Sequence, residues 1–357
     1  MEMQNGPLGG EQRTQSAGIS SDGQWYVAAF SSALKPGKTL VKTIADQTIV
    51  FWRTRAENQQ SNDEQARSVQ AASAVCPHWG GPLGEGKVGA AGELTCPWHG
   101  WQFHNGICRN RPRLKLPRYL AHDDGLLLWV RLPWDVDEVT LPPLQDRPSS
   151  SRAFWFHIAI ESDVYHVQEN YLDFLHPAEY HSTVFSHCVH LGRAHLEGAH
   201  LASGDEINLV ELGYKLPFGK TLLTRTQVWA PTPYQVRNEV YDGLGTGTVI
   251  ESHLTPLTAD RTLIHELYHV PAQLVPAQGW PLMRYFMQRS AIRIRQEDAL
   301  FAARRYRLRK LGFVDGRGLP INGQVTPYLD EWEASTGAEL AEQKLENLVG
   351  KRAPSHY

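Results

Sequence analysis

Cys76-Pro77-His78, followed after a 17-residue gap by Cys96-Pro97-Trp98-His99, is the part of this chain best equipped for chemistry. Two Cys–His pairs in this order suit a [2Fe–2S] cluster in which thiolates hold one iron and neutral imidazoles the other. Replacing two anionic thiolates by imidazoles raises the potential, so such a cluster takes up electrons readily and passes them on. Gly80, Gly81 and Gly100 stand beside these ligands, where a backbone without Cβ lets amides approach sulfur. The competing use of the same residues is a Cys2His2 zinc knuckle. Structural zinc sites, however, usually place two cysteines in one knuckle and two histidines in the other.

A second constellation lies in the segment from Glu169 to His181, which contains Asp173, His176 and His181 in the pattern D-x-x-H-x4-H. Two neutral imidazoles suit iron, and one carboxylate would complete a facial set that leaves coordination positions open. Asp173 stands three residues before His176, on the same face of a helix, placed to accept a hydrogen bond from a ligand imidazole. Read without context, the same histidines could be buried structural groups at a helix end. Further histidines follow at His187, His190, His195 and His200, read as lining the entrance or as plain loop residues.

These residues need a scaffold, and 357 residues allow two domains. Residues 1–22 are polar, with no basic segment leading into an apolar one, and are expected to be a disordered lead-in without a signal peptide. Short β-branched and aromatic runs separated by Gly and Pro (Trp25–Phe30, Leu40–Lys42, Thr48–Trp52, Leu94–Cys96, Leu126–Val130) predict an all-β domain over 23–135. A polar stretch over 55–72 reads as an inserted surface loop. Residues 136–151, rich in Pro, Ser and Asp, read as a linker. Over 152–357 the pattern predicts an α+β domain with a C-terminal extension. Its elements are a strand at Phe154–Ile160, a helix at Ser162–Leu175, several strands between 206 and 270 and a long helix at about 281–310.

Gly243-Leu244-Gly245-Thr246-Gly247 is followed by a strand pattern and not a helix, which argues against a dinucleotide site. Electrons must then come from another protein. The net charge of −3 gives no electrostatic case for nucleic acid, and no run of apolar residues is long enough for a membrane span. Four cysteines, two of them committed to the cluster, suit a reducing compartment, so a soluble cytoplasmic protein is expected. Cys108 and Cys188 read as packing residues. Arg109, Arg111, Arg113 and Lys115 are either a solvated loop or a docking surface for an acidic electron donor.

The C-x-H…C-x-x-H signature resembles that of the Rieske family. Together with the histidine segment one domain later, the chain resembles the terminal oxygenase component of the Rieske non-haem iron oxygenases over about residues 24–310. That resemblance implies an α+β fold: an all-β Rieske domain, then an antiparallel sheet with helices in a helix-grip, START-like arrangement. It implies Cys76, His78, Cys96 and His99 as cluster ligands, with His176, His181 and one acid from a late helix holding a mononuclear Fe(II). Helical spacing puts Asp298 on an apolar face with Ala291, Ile294, Phe301 and Ala302, whereas Glu297 faces Arg293 and Arg304. Asp298 is therefore the expected third ligand, with Asp260 and Asp330 as alternatives and an Arg295 pair as its non-metal use.

By the same resemblance, electrons pass from His99 through Asp173 to His176 across neighbouring subunits of a homotrimer. A ferredoxin and/or an NAD(P)H-dependent flavin reductase supplies them. O2 is then used to oxidise a small hydrophobic, aromatic or polycyclic substrate, by monooxygenation or demethylation ahead of cis-dihydroxylation, since the chain is short for a ring-dihydroxylating subunit. The pocket is expected between the strands of 205–270 and the helix after Asp173, with Phe185, Leu191, Tyr214, Phe218, Trp229 and Tyr241. The alternative is a Rieske electron carrier whose second domain binds a ligand without catalysis.

Overall fold

The computed structural model describes residues 23–54, 69–132, 141–172, 181, 188–189, 199–200, 206–215, 221–241 and 247–311. The first half is all β. Strands β1 (Gln24–Phe30), β2 (Thr39–Ile44), β3 (Gln47–Arg53) and β4 (Val69–Ser73) precede three short ones, β5 (Lys87–Val88), β6 (Leu94–Thr95) and β7 (Gln102–His104). Then come β8 (Ile107–Cys108), β9 (Arg118–Asp123) and β10 (Leu127–Leu132). They form a six-stranded sheet in the order β1-β10-β9-β4-β3-β2 and a four-stranded sheet β5-β6-β7-β8 that carries the cysteine loops. β10, Leu-Leu-Trp-Val-Arg-Leu, is buried along its whole length, which explains an apolar run without alternation. β2 and β3 join through Ala45 and Asp46, both at positive φ, in the primed turn that matches strand twist.

The second half begins with β11 (Ser151–Ile160) and α1 (Val164–Leu172), then β12 (Cys188–Val189) and β13 (Ala199–His200). β14 (Glu206–Lys215), β15 (Thr221–Thr232), β16 (Gln235–Tyr241), β17 (Gly247–Thr258) and β18 (Arg261–Pro271) follow, and α2 (Trp280–Lys310) is the last element. The antiparallel sheet runs β11-β18-β17-β16-β15-β14-β12, with β13 on β14. α2 has Gly279 before its first residue and Pro281 in its first turn, and it ends on Arg307, Arg309 and Lys310, which complement the negative end of the helix. Only Ala291, Asp298 and Ala302 of α2 are buried, one narrow stripe against the sheet. No helix among the described residues is long and apolar enough to cross a membrane.

Sheet β11-β18-β17 has two differently used faces. One meets the helices through Phe154, Phe156, Leu254 and Ile264. The other meets the first half: Thr255 Oγ1 donates to the Val27 carbonyl at 2.7 Å, Phe30 packs edge-on to His265, and Trp129 edge-on to His253. The amides of Ala45 and Asp46 reach the carbonyls of Pro256 and Leu257.

One expectation needs correction. The segment read as an inserted loop over 55–72 includes β4, which pairs with both β3 and β9; residues 55–68 lie outside the described residues. β4, Val-Gln-Ala-Ala-Ser, was hidden because it has one β-branched residue, no aromatic one and no regular alternation. The segment read as a linker is tied to both halves. Arg147 binds Asp124 in the first half and buried Glu251 of β17 in the second, while the Pro143 and Asp146 carbonyls accept from Gln235 and Arg237.

Two candidate metal centres

Each cysteine loop is a turn closed on itself. The Gly80 amide donates to the Cys76 carbonyl and the Cys76 amide to Gly81; likewise Gly100 donates to Cys96, and Cys96 to Trp101. Gly80 and Gly100 occupy left-handed conformations, φ 71° and 69°, that a side chain would strain. Both turns bring a cysteine inward and a histidine outward. Cys76 and Cys96 are buried with Phe103, Leu94 and Cys108, His78 is half-buried and His99 exposed. The imidazoles sit together, centroids 5.0 Å apart, and His78 stacks on Trp101 at 3.8 Å.

The donor set fits a cluster that takes sulfur on one side and imidazole on the other. His78 Nδ1 is buried with no hydrogen-bond partner among the described residues. A Cβ on Gly81 would come within 2.9 Å of Cys96 Sγ, so the cradle has no room for one. Burial pushes the Cys76 thiol up and the neighbouring Cys96 adds to this, against amides of His78 and Trp79 that donate to its sulfur. Such amides favour the thiolate and raise a cluster's potential. At Cys76 they come from His78 and Trp79, the two residues before Gly80.

The second centre lies where α2 crosses the helix-side face of the sheet. His181 is buried; its Nε2 stands 3.0 Å from Asp298 Oδ1, and its Nδ1 is 2.8 Å from Glu297 Oε2. Burial opposes a charge on His181, but Asp298 and Glu297 outweigh it and hold the imidazole above its ordinary value. Asp298 Oδ2 accepts from Arg295 Nη1 at 2.6 Å, so the carboxylate faces both an imidazole and a guanidinium. Of the alternative acids, Asp260 is exposed and pairs with Lys310 and Tyr306, while Asp330 lies outside the described residues.

Asp173 and His176 also lie outside the described residues, as do His187, His190, His195 and the side chains of Cys188 and His200. Among the residues expected to line the pocket, only the side chain of Trp229 is described: half-buried, with Arg237 over its ring. Glu297, read as a solvated salt-bridge residue, instead serves His181 while keeping Arg293 at 3.5 Å. No periodicity could reveal that, because its partner is 116 residues away.

A family model described as the Rieske [2Fe-2S] domain matches residues 24–120, and one described as a domain of unknown function, DUF5914, matches residues 136–313. Dicamba monooxygenase, solved with non-haem iron and dicamba, superposes with a TM-score of 0.55 at 18% identity, over 90% of this chain and 98% of that one. Residues 24–120 are a Rieske [2Fe–2S] domain. That domain is the one that carries a [2Fe–2S] cluster. A ferredoxin complex of carbazole 1,9a-dioxygenase shares this Rieske oxygenase fold, with a TM-score of 0.57 at 12% identity, over 90% of this chain and 88% of that one. Among curated relatives, chloroplastic chlorophyllide a oxygenase from Chlamydomonas reinhardtii is 30% identical over 176 residues, 45% of this chain and 25% of the relative. The match thus spans about a quarter of that relative's length.

Proposed function

We propose that this chain is the terminal component of a Rieske oxygenase system. It takes electrons singly from a ferredoxin or flavin reductase and uses O2 to monooxygenate or demethylate a hydrophobic, aromatic or polycyclic small molecule. The observation that carries the proposal is the buried pair His181–Asp298, an imidazole and a carboxylate facing each other at 3.0 Å in a domain that follows a complete cluster donor set. His181, Asp298 and His176 would hold the mononuclear iron, whose open positions supply O2 activation when it is bound. One oxygen atom then enters the substrate and the other leaves as water.

The residues of the chain divide the remaining work. Glu297 holds the Nδ1 proton of His181 and so aims Nε2 inward. Asp173 bridges His176 to His99 of a neighbouring copy in a homotrimer. Exposed Trp79 and Trp98 beside the cluster ligands, with exposed Arg109, Arg111, Arg113 and Lys115, form the docking face for an acidic electron donor. The half-buried Trp229 contributes to an apolar substrate pocket.

The test is iron and acid-labile sulfide per chain in anaerobically purified protein, with substrate-dependent O2 uptake. The expected result is about three irons and two sulfides per chain, with O2 uptake that needs substrate and donor protein. About two irons, unchanged when ferrous iron is added, would make the chain an electron carrier.

A further inference from the structure

The carboxylate proposed to hold the mononuclear iron is not equally available through its two oxygens. Asp298 Oδ1 faces His181 Nε2, whereas Oδ2 takes a charge-assisted hydrogen bond of 2.6 Å from Arg295 Nη1. Arg295 cannot easily let go. Its Nε donates to Glu266 Oε1 at 2.6 Å, and its guanidinium lies 4.2 Å from the centroid of the Tyr171 ring. Glu266, on β18, is itself fully buried and fixed from three further sides. Tyr171 Oη of α1 reaches it at 2.5 Å, Ser252 Oγ of β17 at 3.1 Å and Tyr268 Oη at 3.1 Å. A guanidinium so held is a rigid fork with one tine on the sheet and one on the ligand carboxylate.

From this geometry we infer that Arg295, anchored by Glu266, is a positioning residue that commits Asp298 to binding the mononuclear iron through Oδ1 alone. The inference rests on the reading of His181 and Asp298 as ligands. A free carboxylate can close on a divalent metal with both oxygens. With Oδ2 engaged, the metal keeps one more position for O2 or substrate. The same fork ties the carboxylate arm to Tyr171, two residues before Asp173, so the end of α1 and the ligand on α2 are held in one frame.

The experiment is a pair of anaerobic crystal structures of the cluster-loaded protein with Fe(II) added, wild type and Arg295→Gln, with the EPR spectrum of each after exposure to nitric oxide. The oxidised cluster is EPR-silent and does not interfere. In wild type only Oδ1 should lie at bonding distance and Oδ2 should stay on Arg295. In Arg295→Gln both oxygens should bind, with a changed symmetry of the nitrosyl signal and an unchanged cluster spectrum. Because Arg295→Gln leaves Glu266 as a lone buried charge, Glu266→Gln/Arg295→Gln serves as the folded control and should also show two bound oxygens. Wild type with both oxygens on the iron, or variants that keep one-oxygen binding and the wild-type nitrosyl signal, overturns the clamp but leaves the ligand reading intact. Wild type that takes up no Fe(II) beside an intact cluster removes the ligand reading and the clamp with it. If neither variant folds, the wild-type structure alone decides.

Discussion

The two candidate metal centres are built in opposite ways. The cluster donors come from two turns within 24 residues of chain, each closed by its own backbone hydrogen bonds and seated in a small core of Trp52, Leu83, Leu94 and Phe103. The second centre pairs His181 with residues more than a hundred positions away, and its carboxylate leans on Arg295, whose guanidinium is held in turn by a sheet residue, Glu266, and a helix residue, Tyr171. The first is a local device that a domain can carry anywhere. The second exists only while α2, β17, β18 and α1 keep their packing. Cys96→Ala should therefore abolish the cluster completely, seen as loss of its visible absorption and acid-labile sulfide. Iron should still load at the other site. Loss of both irons together would contradict the independence of the two centres.

The converse substitution attacks the assembled site. Asp298→Ala removes a buried carboxylate and leaves Arg295 with Glu266 as its counter-charge. Iron should fall from about three to about two per chain with the cluster spectrum unchanged, and O2 uptake should drop to background. Asp298→Asn, nearly the same shape, should do the same. If it retains iron, the carboxylate is not a ligand.

Between the two halves stands Arg147, which binds Asp124 on the cluster side and Glu251 of β17 at 3.0 Å. Burial works to raise Glu251, but His253, His269 and Arg147 outweigh it and hold it well below the usual carboxylate range. Arg147→Met removes the cation shared by two buried carboxylates and should cost about 3–5 kcal/mol in denaturant unfolding. Arg147→Met/Glu251→Gln should recover part of that loss. A near-neutral single variant would show that the strap does not join the halves.

The contrast also explains what could be read from the chain. The Rieske domain was legible because the cysteines, histidines, glycines and tryptophans of its two loops are neighbours in sequence. α2 and the place of Asp298 on its buried stripe were legible because a period of 3.6 survives in Ala291, Asp298 and Ala302. The two- and three-residue strands β5, β7 and β8 were not, since such short runs carry no period, and β9, Arg-Tyr-Leu-Ala-His-Asp, was not, because it has no regular alternation and no β-branched residue. The partners of Glu297 and the second anchor of Arg295 were not legible either. A charged residue looks solvated until the fold brings a buried partner to it.

A smaller effect separates space from backbone strain at the cluster. Gly81 has no positive φ, but a Cβ there would press on Cys96 Sγ at 2.9 Å, whereas Gly100 is at φ 69° with open space around it. Gly81→Ala should lower cluster occupancy and shift its potential. Gly100→Ala should keep the cluster and cost about 1 kcal/mol of stability. Equal behaviour of the two would mean that the cradle can yield.

The smallest effect uses the other face of the sheet. His253, His265 and His157 stand side by side on three strands, with Phe30 against His265 and Glu251 two residues from His253. Burial drives His265 well below its ordinary value, and His157, His253 and Lys42 push the same way. A base whose folded pKa is depressed stabilises the fold fully above its unfolded pKa, about 6.5, and loses that contribution as pH falls below it. Glu251, also depressed, contributes fully above the ordinary carboxylate value and is lost only at lower pH. Denaturant midpoints of the iron-loaded protein should therefore begin to fall near pH 6.5, before any carboxylate titrates. His265→Gln should flatten that first decline and leave the acid one in place. An unchanged first decline in the variant would move its origin to His157, also lowered by burial, or to another group on that face.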